Sequence, residues 1–81
     1  MYRLVLDPIA EDQIGALPKE ALHPLAELIT LLETAPWSGR PFNPDDPTGK
    51  LFTHVFGERG LATYLILEEQ RKTYLIRVEW P

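Results

Sequence analysis

Few residues in this chain are of a type that does chemistry, and most of those stand in its last third. His54 is the natural candidate for a general base, since imidazole titrates near neutral pH. It sits in LFTHVFG, two residues from Phe52 and two from Phe56. On a strand that spacing puts all three on one face, and a face carrying two phenylalanines packs inward. A base must reach its substrate, so a half-buried structural histidine is the preferred reading. Arg59, Arg71 and Arg77 are the cations best placed to hold a phosphate, with Lys50 and Lys72 nearby. Their plainer reading is solvated turn charge and, for Arg77, an ion pair with Glu79 or an acid near Glu68. Tyr64 would stack on a base or, more simply, pack against a partner's apolar side chain. The catalytic candidates thus reduce to Arg59, Arg77 and Tyr64. Cysteine is absent, which removes disulfides, thiol nucleophiles and thiolate metal sites. His23 and His54 form no metal motif, and Asp45-Asp46 in a proline-rich stretch reads as a turn. Neither a metal nor a cofactor is expected.

The length, 81 residues, is that of one small domain spanning 1–81. A chain this short buries a limited share of its surface, and partners often add to the stability of such domains. The net charge is −4. Residues 1–49 carry three bases (Arg3, Lys19, Arg40) against eight acids, and residues 50–81 carry five bases against four acids. An acidic domain approaches nucleic acid at a Coulombic cost, so the composition argues against a general nucleic-acid binder. No apolar run approaches the ~20 residues of a membrane span, and MYRLVLDPIA does not read as a signal peptide. A cytoplasmic setting is expected.

The elements follow from local pattern. Residues 2–6, YRLVL, alternate and predict a short first strand. Asp7-Pro8 is a helix start: Asp7 can cap, Pro8 suits the first helical position, and Glu11 and Asp12 favour the positive end of the dipole. Gly15 and Leu17-Pro18 end that helix. Leu22, Leu25, Ile29 and Leu32 keep helical spacing and predict a second helix over 19–34. Pro24 implies a kink at His23-Pro24 or a helix that starts at Pro24. APWSGRPFNPDDPTGK, 35–50, is irregular, with Trp37 and Phe42 expected to pin it to the core. LFTHVFG, LATYLILEE and KTYLIRVEW then form three antiparallel strands.

Turn lengths set the faces. A four-residue loop Gly57–Gly60 pairs Phe56 with Leu61, and a two-residue turn at Glu69-Gln70 pairs Leu65 with Tyr74. One face then holds Phe52, His54, Phe56, Leu61, Thr63, Leu65, Tyr74, Ile76, Val78 and Trp80, and the helices cover it. The other holds Leu51, Thr53, Val55, Ala62, Tyr64, Ile66, Thr73, Leu75, Arg77 and Glu79. An open face this apolar marks a partner site, with Leu51, Val55, Tyr64, Ile66, Leu75 and Arg77 as the expected contacts.

The order of these segments resembles the RelE/ParE toxin superfamily of bacterial type II toxin–antitoxin systems. YRLVLDPIAEDQI, LAELITLLETAPWSGRPF with its P-x-x-G helix exit, FTHVFGERGLATYLILEE and YLIRVEW carry the resemblance along nearly the whole chain. It implies an α+β fold, β-α-α-β-β-β, with a mainly antiparallel four-stranded sheet and two helices on one face. It implies a toxin-like component neutralised by a cognate antitoxin, or a second copy of the chain as partner. It also implies a ribosome-dependent mRNA endonuclease, in which basic residues on the open face stabilise phosphate as the RNA 2′-hydroxyl attacks phosphorus. The positions that carry those residues fall on Thr53, Val55 and Ala62, and the family's late basic and aromatic residues lie beyond Pro81. None of the three substitutes holds a phosphate or moves a proton. A catalytically silent interaction module and a gyrase-directed ParE-like toxin are the alternatives.

Overall fold

The computed structural model describes residues 1–46 and 49–81. Strand β1 (Arg3–Leu6) leads into helix α1 (Pro8–Gly15), a 3-10 turn at Lys19–Ala21 and helix α2 (Leu22–Thr34). A second 3-10 turn, Pro36–Ser38, precedes β2 (Arg40–Pro41), and β3 (Leu51–Phe56), β4 (Gly60–Leu67) and β5 (Lys72–Glu79) complete the chain. The sheet order is β1-β5-β4-β3-β2. β1 runs parallel to β5, and every other neighbour is antiparallel. The sheet therefore has five strands where four were expected, because two residues of the long irregular segment add an edge strand to β3.

Asp7 caps α1 as its sequence predicts: its Oδ1 accepts from the Ile9 N–H at 2.9 Å, with Pro8 in the first turn. Helix α2 starts at Leu22 rather than Pro24. Pro24 falls in the first turn, where backbone N–H groups have no helical acceptor, so the helix loses nothing by it. Leu25, Leu28 and Leu32 of α2 and Ala10 of α1 bury against Phe52, Phe56, Ala62, Tyr64, Ile66, Leu75 and Val78 of the sheet. Burying side chains of this size contributes about 1.5–3 kcal/mol each. Thr73 is fully buried and donates from Oγ1 to the Leu32 carbonyl at 2.8 Å, which satisfies one acceptor at the C-terminal end of α2.

Three of the expected open-face contacts are in this core. Tyr64, Ile66 and Leu75 are 0% exposed and pack in the core cluster on the helix side of the sheet. The cause is the β3–β4 turn. Gly60 belongs to β4 and pairs with Phe56, so the connection is three residues, Gly57-Glu58-Arg59, not four. A one-residue slip exchanges the two faces of the strand. Leu61, Thr63 and Leu65 therefore point away from the helices, and Ala62, Tyr64 and Ile66 point toward them. β5 follows the same parity up to Leu75. Between the Tyr64–Leu75 and Thr63–Arg77 pairs it carries one extra residue, Ile76, and this bulge resets the alternation. Beyond the bulge Val78 faces the core and Arg77 and Glu79 the open side, as predicted.

The irregular segment is anchored less than expected. Trp37 is half-exposed, its ring set edge-on against Phe52 at 5.2 Å, and Phe42 is also half-exposed. Asp45 belongs to a turn: its N–H donates to Asn43 Oδ1 at 3.0 Å, and the Asp46 N–H donates to the Asn43 carbonyl at 3.0 Å.

Candidate functional site

The face of the sheet opposite the helices is built from cross-strand rows, since directly opposed residues share a side. One row is Arg3, Lys72 and Leu67. The next is apolar: Val5, Tyr74, Leu65 and Leu51. After the bulge comes Arg77, Thr63, Thr53 and Arg40, which spans β5 to β2. Glu79, Leu61 and Val55 form the last. Two arginines thus bracket two threonines, with apolar side chains on either side. Of the chain's eight basic residues, Arg3, Arg40, Lys72 and Arg77 lie on this face. The helices and their connection instead carry Glu11, Asp12, Glu20, Glu27 and Glu33 against Lys19. The chain is acidic overall but polarised across the sheet.

A shallow hollow of about 380 Å³ opens at the Arg40 end of the Arg–Thr row, lined by Ser38, Gly39, Arg40, Thr53, His54, Val55 and Leu61. Its floor is β3 and β4, and its wall is the segment that exits α2. Tyr64 fixes that wall from the core. Its Oη donates to the Pro36 carbonyl at 2.7 Å. Burial pushes the Tyr64 phenol up to about 12, against a smaller opposing effect of the Gly39 backbone. Gly39 is required here: a Cβ would collide with Tyr64 Oη and lie 2.6 Å from the Thr53 carbonyl. Arg40, the next residue, is delivered to the hollow by that contact. From sequence Arg40, within SGRPF, could anchor the long loop or face a partner, and Gly39 was not singled out, although the S-G-R spacing marks a close backbone approach.

His54 is half-buried, as expected, yet it lines the hollow. Its Nδ1 lies 2.6 Å from the Val55 carbonyl. A carbonyl only accepts, so Nδ1 carries a proton in this contact. Arg77 pairs with Glu79 at 3.2 Å across exposed side chains. Arg59 is in the β3–β4 turn beside Trp80, Glu20 and Pro24, at the far end of the sheet from Arg71. Arg71, in the left-handed region at φ 52°, lies 3.4 Å from Glu68 and over the Tyr2 ring. The structure therefore does not bring Arg59, Arg71 and Arg77 together. Among the positions implied by the resemblance, Thr53 and Val55 line the hollow, whereas Ala62 is 0% exposed on the helix side. The open-face residues that flank Ala62 are Leu61 and Thr63, and neither is basic.

Two carboxylates hold the rim. Asp7 accepts from Tyr74 Oη at 2.7 Å, and that bond, together with the Ile9 N–H, lowers the Asp7 pKa below the usual value while raising that of Tyr74. Glu68 accepts from Tyr2 Oη at 2.6 Å and from Trp37 Nε1 at 3.1 Å. The Tyr2 bond is the main reason that its pKa is lowered, followed by Trp37, Arg71 and Lys50. Thr63 Oγ1 is the exception on this face: it is buried and has no hydrogen-bond partner among the described residues. Leaving a hydroxyl in that state costs about 1–3 kcal/mol. Among the described residues no group of three or more His, Asp or Glu converges to hold a metal, and no helix is long and apolar enough to cross a membrane.

No protein-family model matches the chain, and no curated protein matches it. Solved structures do. A chain of the intact Escherichia coli RelBE toxin–antitoxin complex superimposes with a TM-score of 0.79 at 13% identity, over 100% of this chain and 98% of that one. A chain of the Mycobacterium tuberculosis RelBE2 toxin–antitoxin complex gives 0.78 at 20% identity, over 99% and 98%. With this coverage, the two helices and the five-stranded mixed sheet are those of the RelE fold.

Proposed function

We propose that the chain is the toxin-like member of a type II toxin–antitoxin pair, bound and neutralised by an antitoxin laid across the open face. The observation that carries this reading is the end-to-end superposition on chains from two toxin–antitoxin complexes, joined to a sheet face that no helix among the described residues covers. Half-exposed Leu51, Leu61, Leu65 and Leu67 on that face supply the apolar area a partner buries. The test is induction of the chain in bacteria, alone and with the product of the neighbouring short reading frame. Growth arrest relieved by the neighbour supports the reading. High levels of soluble chain with no arrest and no complex remove it.

A second reading, ribosome-dependent mRNA cleavage, is favoured by one observation: Arg40, Thr53 and His54 line one hollow. Attack of an RNA 2′-hydroxyl on the adjacent phosphorus requires a base for the hydroxyl proton and a cation for the phosphorane charge. His54 and Arg40 would fill those roles. Loss of translation-dependent mRNA cleavage in both His54→Ala and Arg40→Ala, with folding intact, supports it. Cleavage that persists in both variants, or is absent from the wild-type chain, rejects it.

A further inference from the structure

The Arg40–Thr53–Thr63–Arg77 row combines features that solvated surface charge does not explain. Its central hydroxyl, Thr63 Oγ1, is buried without a partner, on a residue only 4% exposed. Buried polar groups are nearly always hydrogen-bonded, so one that is not points to an absent ligand or partner. The two guanidinium groups enter from opposite ends of the row, from β2 and β5. Three strand spacings separate their Cα atoms by about 14 Å, a span that two arginine side chains reaching inward can bridge. Among the described residues Arg77 pairs with exposed Glu79, and a pair of that kind resists redirection by very little. Guanidinium and hydroxyl donors converging on one place form an anion site, and guanidinium binds a planar carboxylate with two parallel bonds.

The surroundings choose between the anions. A nucleic-acid backbone presents charge without apolar area, and a chain of net charge −4 repels it. Apolar residues line the row on both sides, Val5, Leu65 and Leu51 on one and Leu61 and Val55 on the other. A protein segment in which acidic side chains stand among apolar ones satisfies both kinds of row at once. The geometry points to a carboxylate clamp: the row takes an aspartate or glutamate side chain of the partner protein, with Arg40 and Arg77 closing from the two ends and Thr63 Oγ1, covered in the free chain, donating to it once the side chains over it move aside. This deepens, and rests on, the antitoxin reading, since an acid seated there fills the mouth of the hollow. The cationic row Arg3–Lys72 lies four residues further along β4, about 13 Å away, and takes a second acid of the same segment.

The test is titration calorimetry of the full chain with the purified neighbouring-frame protein, from about 50 to about 300 mM NaCl. Arg40→Gln and Arg77→Gln are each expected to weaken the complex about tenfold or more and to flatten its salt dependence. Thr63→Val, close to isosteric, is expected to weaken it several-fold while the variant melts at or above the wild-type temperature. Lys19→Gln, outside the sheet, is expected to leave the complex unchanged. Wild-type binding that is indifferent to all three row substitutions overturns the clamp and leaves the antitoxin reading standing. Absence of a wild-type complex removes both. Tight binding of a single-stranded oligouridylate, lost in the row variants while the protein complex is unaffected, overturns the clamp in favour of a nucleic-acid face.

Discussion

The hydroxyl of Tyr64 donates to the Pro36 carbonyl at 2.7 Å, and this bond ties the centre of β4 to the segment that carries Arg40. Both residues are fully buried. Tyr64→Phe keeps the ring, removes the donor and strands the carbonyl, at an expected cost of about 1–3 kcal/mol in a urea unfolding curve. Gly39→Ala drives a methyl into Tyr64 Oη and the Thr53 carbonyl, so it should destabilise the fold and displace Arg40 as well. A Gly39→Ala variant as stable as wild type would mean that the segment packs differently.

Alkaline titration reads the same residue. The Tyr64 phenol is raised to about 12 by burial. A group whose folded pKa lies above its unfolded value contributes stability that is present below pH 10 and is lost as pH rises toward 12. Absorbance of tyrosinate should show the Tyr64 phenol titrating late and coupled to alkaline unfolding, beside the raised Tyr74, and Tyr64→Phe should remove the Tyr64 contribution.

The acid limb has the opposite sign. Asp7 and Glu68 are both lowered in the folded state, by Tyr74 and Tyr2 foremost. Their stabilisation is present above the ordinary carboxylate values of 3.8 and 4.5 and is lost as pH falls through the lowered ones. Tyr74→Phe should flatten the loss of stability below pH 3.8 without changing the helix cap. Asp7→Ala removes both, and losing the cap alone costs about 1 kcal/mol. Equal acid sensitivity in Tyr74→Phe and wild type would show that the pair does not form.

The Gly57-Glu58-Arg59 turn depends on Gly57 at φ +63°, with the Trp80 ring 3.0 Å from the place of a Cβ. Gly57→Ala should destabilise the chain by about 1–2 kcal/mol from the backbone alone, measurable by thermal melting.

Glycines also mark where the sequence could and could not be read. Asp7-Pro8 and the leucine spacing of α2 placed both helices to within a few residues, because caps and helical periodicity are local signals. The open side of β3, Leu51, Thr53 and Val55, was equally legible, since Phe52 and Phe56 alternate against weaker neighbours. β4 was not. Leu61, Thr63 and Leu65 are nearly as apolar as Ala62, Tyr64 and Ile66, so alternation gives no preferred face. The assignment then hung on whether Gly60 ends the turn or starts the strand. Leu75 was misplaced with its neighbour Tyr64 on β4; the bulge at Ile76, which leaves no trace of glycine or proline, reset the alternation, which is why Val78 was not. The Arg–Thr row was invisible for a similar reason. Arg40 joins it through a two-residue strand that lies ten residues from its partner strand in the chain, and only the register reveals the alignment.

The corrected face makes its own prediction. Tyr64→Glu places a carboxylate at a position with no exposure and should abolish cooperative unfolding. Leu65→Glu, on the adjacent half-exposed position, should leave the circular dichroism spectrum and a cooperative melt intact. The reverse pattern would restore the four-residue turn.

The central claim is an antitoxin seated on the open face, and co-purification of the chain with the neighbouring-frame protein tests it most directly. The account predicts a stable complex for the wild-type chain and its loss in the folded Leu65→Glu variant. No complex with the wild-type chain, or one that Leu65→Glu leaves untouched, would contradict it.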